Sequence, residues 1–189
     1  MDQHNSCNTE RLVISPRKIL LIGTLGSGKT TLAEYLTRDT GFPYASIDEC
    51  RIRYADGTMA GEDTAWDRFL ELCSMPGSGV LEFSGMGPHA REVRDTLVQS
   101  ATPILVIWLA LPADVCITRA RQRKKTVPFP YPLAPVEYAV PAIHAAIEDA
   151  WDTIWSTEPC FRTERLEFSG TESPYEIYSV VRTICSLSG

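Results

Sequence analysis

Nowhere in this sequence does an apolar run reach the roughly 20 residues that a bilayer-crossing helix needs, so no membrane span is expected. The six cysteines, Cys7, Cys50, Cys73, Cys116, Cys160 and Cys185, form no C-x-x-C pair, and with only three histidines beside them they give no zinc-ligand pattern. Thiols so scattered are expected to stay reduced and to act as small apolar fillers of a cytoplasmic protein. The opening residues, MDQHNSCNTERLVISPRK, lack the apolar stretch of a secretory leader, and residues 1–16 are expected to form a loosely ordered tail. Positive charge is in deficit: 18 Lys and Arg stand against 24 Asp and Glu, a net charge of −6. That balance counts against a sequence-blind binder of a nucleic-acid polymer, yet leaves room for a short anion held by a local basic cluster. Repeats and low-complexity linkers are absent too. A hydrophobic share of 44% and a charged share of 22% in 189 residues suit one globular domain whose core needs no disulfide or metal. Composition leaves monomer and homodimer equally open.

What is present is an alternation of short apolar runs with longer amphipathic ones. Strands are expected at 18–22, 44–47, 80–83, 103–109 and 165–168. The first and fourth, KILLI and PILVIWL, are continuously apolar, as in strands buried on both faces of a parallel sheet. Helices are expected at 29–38, 62–73, 88–100, 112–124, 136–155 and 174–187. The second of these carries Trp66, Phe69, Leu70 and Cys73 at three- and four-residue spacing, one apolar face of a helix. Pro141 is expected to kink or restart the fifth. A proline-rich stretch, VPFPYPLAP, precedes it at 127–135. Five strands interleaved with helices mean an α/β sandwich on a mostly parallel sheet.

The segment GTLGSGKT (Gly23, Thr24, Leu25, Gly26, Ser27, Gly28, Lys29, Thr30) matches G-x-x-x-x-G-K-[ST] in full. It follows the first buried strand and opens the first helix, the context in which that motif works. Glycines let backbone N–H groups converge on a polyphosphate without side-chain clash, and the helix N-terminus adds free donors and a positive dipole end. Lys29 is placed to bridge the terminal phosphates and Thr30 to offer its hydroxyl to Mg²⁺, while Thr31 continues the first turn. A nucleoside triphosphate is the expected ligand.

Further absences narrow the class. Asn5 and Asn8 are the sole asparagines, so no N-K-x-D guanine reader exists, and neither D-x-x-G after the third strand nor L-S-G-G-Q is found. Where a Walker-B strand would end in aspartate, Val80-Leu81-Glu82-Phe83 offers glutamate. The order of a phosphate-binding loop, an acid after strand two, a small glycine segment after strand three and an arginine-rich helix after strand four resembles the nucleoside-monophosphate kinase superfamily. Within it, the layout over about residues 17–189 is similar to shikimate- and gluconate-kinase-type metabolite kinases. That resemblance implies a P-loop NTPase three-layer sandwich with a five-stranded parallel sheet in order 2-3-1-4-5. It implies an ATP- and Mg²⁺-dependent transfer of a phosphoryl group to a hydroxyl of a small-molecule acceptor. It also implies an acceptor region at about 48–79 and 84–94 and a lid at about 119–135.

Site residues follow from position. Asp48, after strand two, is expected to receive the acceptor's proton or hold metal-bound water, the alternative being a helix N-cap. Glu82, a carboxylate within an apolar strand, either anchors magnesium water or satisfies a buried arginine. Gly85 and Met86 lie in the glycine segment Ser84-Gly85-Met86-Gly87, where backbone approaches an acceptor or merely turns. The run RARQRKK at 119–125 carries Arg119 and Arg123 on one helical face. The resemblance makes them the lid's arginines, Arg119 over adenine and Arg123 on the transferred phosphate, with Arg121 solvated. A solvated basic helix face is the alternative. Gly170, in the loop after strand five, is the expected adenine cradle. For the acceptor, Arg51, Arg68 and Arg91 are candidates, Arg68 with the alternative of a surface salt bridge to Asp67 or Glu71. Phe129 and Tyr131 of the proline-rich stretch are expected to reach the acceptor; His89 and His144 are given no role. A nucleotide or nucleotide-sugar kinase, or an ATP-binding regulatory switch without an acceptor, stand as the other readings.

Overall fold

A computed structural model describes residues 17–123 and 126–186. The expected tail at 1–16, Lys124 and Lys125 of the basic run, and Leu187 at the end of the last expected helix lie outside the described residues.

Five strands are found: β1 (Lys18–Ile22), β2 (Tyr44–Ser46), β3 (Gly79–Glu82), β4 (Ile104–Ala110) and β5 (Phe161–Glu167). They form one sheet in the order β2-β3-β1-β4-β5, and each of the four pairings is parallel. Among the described residues seven α-helices accompany them: α1 (Lys29–Thr40), α2 (Ile47–Tyr54), α3 (Met59–Ser74), α4 (Ala90–Gln99), α5 (Ala113–Gln122), α6 (Val136–Ala150) and, after the last strand, α7 (Pro174–Ser186). A π-helical turn, Trp151–Trp155, ends α6.

The central strand β1 shows why the sheet is covered on both sides. Leu20 and Ile22 join one core with Trp66, Phe69, Val93, Trp108 and Trp155, beneath α3, α4 and α6. Ile19 and Leu21 join the other with Leu32, Leu36, Ile107 and Val181, beneath α1 and α7. Neighbouring side chains of a strand point to opposite faces, so an all-apolar strand demands two apolar layers. The result is the expected three-layer sandwich.

Among the differences from expectation, which include α2 at Ile47–Tyr54 where strand two was expected to reach 47, three have clear physical reasons. β5 begins at Phe161, four residues before its apolar run, because an edge strand pairs on one side only and tolerates FRTERLE, a run of alternating charge. α3 begins at Met59 rather than 62, with the Thr58 hydroxyl accepting from the Gly61 N–H 3.1 Å away. α6 runs unbroken through Pro141, which lies in its second turn and removes a single backbone donor without ending the helix.

Candidate active site

The loop between β1 and α1 is shaped by glycine. Gly26 sits at φ +78°, and a Cβ there would lie 2.3 Å from the Cys116 carbonyl oxygen of α5, so no other residue fits. Gly28, at φ +93°, precedes α1 with no side-chain cap, which leaves the first N–H groups of that helix to a ligand. The Ser27 hydroxyl is buried and has no hydrogen-bond partner. Lys29 is buried, and its Nζ donates to the carbonyls of Gly23 at 2.9 Å and Thr24 at 3.0 Å. Burial pushes the Lys29 ammonium down, opposed by the carboxylates of Glu82 and Asp48.

Glu82 ends β3 beside this loop, in register with Leu21 of β1. Of its two expected roles, the pairing with a buried arginine is not what is found. Its oxygens accept instead from the Thr30 hydroxyl at 3.0 Å and the Tyr44 hydroxyl at 2.5 Å. Burial and the adjacent carboxylate push the Tyr44 phenol well above its usual value, so it remains a donor. Glu82 thus ties the loop threonine to the edge strand β2.

Asp48 lies in the first turn of α2, half-buried. The N-cap of α2 is Ser46, whose hydroxyl accepts from the Glu49 N–H at 3.1 Å, so the capping alternative for Asp48 falls away. Arg51 donates to one Asp48 oxygen at 3.4 Å, and Arg123 lies 4.0 Å from the other. Arg51 itself is 8% exposed. Its Nε donates to Glu62 at 2.8 Å and its NH2 to the same carboxylate at 2.5 Å, while the Trp66 indole donates to Glu62 at 2.9 Å. The guanidinium carbon lies 4.6 Å from the Phe129 ring centre and 5.6 Å from that of Trp66. Burial would raise the Glu62 carboxyl, but the Arg51 guanidinium holds it below its ordinary value.

A cleft of about 390 Å³ opens from the loop, lined by Gly26, Lys29, Thr30, Arg119, Arg123 and Glu172 among others. Thr31 also lines it, while Leu25 is an exposed tip of the loop. Arg119 donates to the Gly170 carbonyl at 3.0 Å. Gly170 is at φ +92° and leaves no room for a Cβ, which would meet Val115 at 2.7 Å. Glu172 shapes this loop. Its carboxyl is pulled down to about 2 by hydrogen bonds from the Ser169 hydroxyl and the backbone amides of Ser169 and Gly170.

Of the expected residues, Gly26, Gly28, Lys29, Thr30, Thr31, Arg119 and Arg123 line one cleft, while Gly23, Gly170, Glu82 and Asp48 are joined to it through Lys29, Arg119, Thr30 and Arg123. Other expected residues are placed differently. Arg68 is exposed and paired with Glu71 at 2.7 Å, with Tyr54 beneath it, which matches the surface-bridge alternative. Arg91 is exposed on the first turn of α4. Gly85 is a packing position: a Cβ would meet Ile22 at 2.6 Å, and its carbonyl accepts from the Trp155 indole at 2.7 Å. Met86 packs against the core beneath α3 and α4. Arg121, expected to be solvated, is exposed and pairs with Glu137. Tyr44, Glu62 and Glu172 were not anticipated. A glutamate two residues after a glycine turn signals Glu172 weakly; Tyr44 and Glu62 have no local signal.

Among the described residues no three His, Cys, Asp or Glu side chains form a metal-holding cluster. A hydroxyl with one or two carboxylates is nonetheless the donor set of an ion that keeps most of its water and phosphate ligands.

No family model matches this chain, and no curated protein does. Solved structures do. A sugar kinase from a Janibacter species is 20% identical, with a TM-score of 0.61 over 92% of this chain and 96% of that one. A gluconokinase from Sinorhizobium meliloti is 18% identical, with a TM-score of 0.59 over 91% and 93%. A shikimate kinase from Acinetobacter baumannii, in complex with shikimate, is 16% identical, with a TM-score of 0.63 over 91% and 94%. The fold of this chain, a parallel five-stranded sandwich with its phosphate-binding loop, is the fold of those kinases nearly end to end.

Proposed function

We propose that this chain is a cytoplasmic kinase that transfers the γ-phosphoryl group of ATP to a hydroxyl of a small metabolite. The observation that carries the reading is the convergence on one cleft of the loop lysine, the Thr30–Glu82 pair and Asp48 between two arginines. The uncapped start of α1, the partnerless Ser27 hydroxyl and the glycine cradle suit a polyphosphate. Thr30, with Glu82 and Asp48, supplies the hard oxygen donors that Mg²⁺ prefers, and Mg²⁺ when bound neutralises charge on the phosphates.

The chain's own residues would divide the work simply. Lys29 holds the terminal phosphates. The acceptor hydroxyl attacks the γ-phosphorus as the bond to the bridging oxygen breaks, ADP leaves, and the hydroxyl proton passes to Asp48. Arg119 lies against the nucleobase loop at Gly170, and Arg123 stands between the phosphates and Asp48. The segment at 119–135 acts as the lid, and 48–79 with 84–94 forms the acceptor side. Positioning and charge neutralisation supply the rate.

The test is ADP release with and without hydroxyl compounds, alongside binding of a fluorescent ATP analogue. Lys29→Ala should abolish turnover and weaken nucleotide binding, whereas Asp48→Asn should keep nucleotide binding and lose transfer about 10²–10⁴-fold. Full transfer by Asp48→Asn would remove its assignment as base.

A further inference from the structure

A threonine hydroxyl inside a helix commonly turns back to the carbonyl four residues earlier. Thr40, Thr64, Thr118, Thr153 and Thr183 all do so here. Thr30, in the first turn of α1, instead sends its one proton across to Glu82, 3.0 Å away. A hydroxyl that has donated keeps its oxygen lone pairs, and Thr30 lines the triphosphate cleft. That diversion needs a carboxylate which is itself held still. Glu82 has one methylene more than the aspartate expected where β3 ends, and the last torsion of a glutamate is broad. A second hydroxyl fixes it, because Tyr44 donates to the other carboxylate oxygen at 2.5 Å. The sheet makes the reach possible. Tyr44 of β2 is in register with Val80 and Ser46 with Glu82, so Tyr44 and Glu82 stand two positions apart on one face. The phenol ring packs into the apolar layer beneath α1 and α7. Burial and the neighbouring carboxylate hold that phenol well above its ordinary value, which keeps it a donor.

We infer that Tyr44 is a positioning residue for the metal side of the nucleotide site: through Glu82 it holds the Thr30 hydroxyl with its proton turned away and its lone pairs left for the Mg²⁺ that accompanies a triphosphate. This inference rests on the kinase reading above and adds to its site a residue of the edge strand, 14 positions beyond the loop threonine. Tyr44 is not among the described residues that line the cleft, so its influence passes through two hydrogen bonds in series. Without the phenolic oxygen, Glu82 would keep one partner and turn about its last torsion. Thr30 would then be free to bond back toward Gly26, as the other helix threonines do, which draws its oxygen toward the helix backbone.

The experiment titrates a fluorescent ATP analogue into the full-length wild type, Tyr44→Phe, Thr30→Val and the double variant, each with Mg²⁺ and in EDTA. Tyr44→Phe keeps the packed ring and loses one oxygen atom, so the fold is retained. The quantity read is the gain in analogue affinity that Mg²⁺ brings. That gain should fall about 10-fold in Tyr44→Phe, the worth of one hydrogen bond to a charged group, while affinity in EDTA stays within about 2-fold. In the Thr30→Val background the same substitution should alter the gain by less than about 2-fold, because the series of bonds is already cut. Equal losses with Mg²⁺ and in EDTA, no loss at all, a wild type indifferent to Mg²⁺, or an undiminished effect of Tyr44→Phe in the Thr30→Val background would each overturn the inference while leaving a nucleotide-binding kinase. Failure of the wild type to bind the analogue under both conditions would instead overturn the kinase reading on which the inference rests.

Discussion

Removing one member of the buried Arg51–Glu62 pair gives the most exacting check of the structure. In Glu62→Leu the guanidinium loses its two-pronged acceptor while remaining 8% exposed among Trp66, Phe129 and Asp48. Breaking a buried ion pair from one side costs about 3–5 kcal/mol, because the other charge is left without compensation. The Trp66 indole loses its acceptor as well, so the upper half of that range is expected. For a domain of this size each kcal/mol lowers Tm by about 2–4 °C, which puts the loss at roughly 8–20 °C. Arg51→Met in the same chain should recover most of it, since replacing both partners by apolar groups of similar volume is often neutral or stabilising. The assay is urea unfolding of wild type, both single variants and the double variant, closed as a cycle at constant m. A double variant no more stable than Glu62→Leu would show that the pair is not what holds α2 to α3. A loss below about 1 kcal/mol for Glu62→Leu would mean that Arg51 finds water or another anion, against its buried position here.

Two further outcomes follow from the same contacts. Gly26→Ala should weaken binding of a fluorescent ATP analogue at least about 10-fold and destabilise the chain by about 1–3 kcal/mol, because a Cβ meets the Cys116 carbonyl at 2.3 Å and the φ is left-handed; unchanged binding would refute the loop geometry. Glu62 is held below its ordinary value of 4.5, so its contribution to stability is whole above that pH and disappears as acid titrates it through the lower folded value. Unfolding free energies measured from pH 6 to pH 3 should thus fall more steeply in wild type than in the double variant, and parallel curves would contradict the pairing.

Reading the chain alone reached the phosphate-binding loop because that loop is local in origin. GTLGSGKT is eight consecutive residues whose backbone shape and chemistry go together, and strand order followed from the resemblance it opened. Asp48 was legible for the same reason, as the acid next to a strand end. Arg51 was legible as a cation of the acceptor side, but its partner Glu62, 11 residues away on another helix, and its ring contact on a third segment were not. Glu82 was legible as a carboxylate in an apolar strand, but its partners, Tyr44 and Thr30, come from a neighbouring strand and helix and are joined only by the sheet. The early start of β5 was missed because an edge strand obeys pairing before hydrophobicity. Side-chain partners distant along the chain are set by packing, and nothing in a window of sequence records them.

The two bonds from Lys29 to the carbonyls of Gly23 and Thr24 have a consequence for how a nucleotide is received. The loop carries its own counter-ion, so its curvature does not depend on a visitor to neutralise converging dipoles. On the proposed reading, binding a triphosphate would be an exchange, two carbonyl contacts surrendered for phosphate ones, and the affinity would be the difference between two sets of hydrogen bonds. The lysine braces the loop from within.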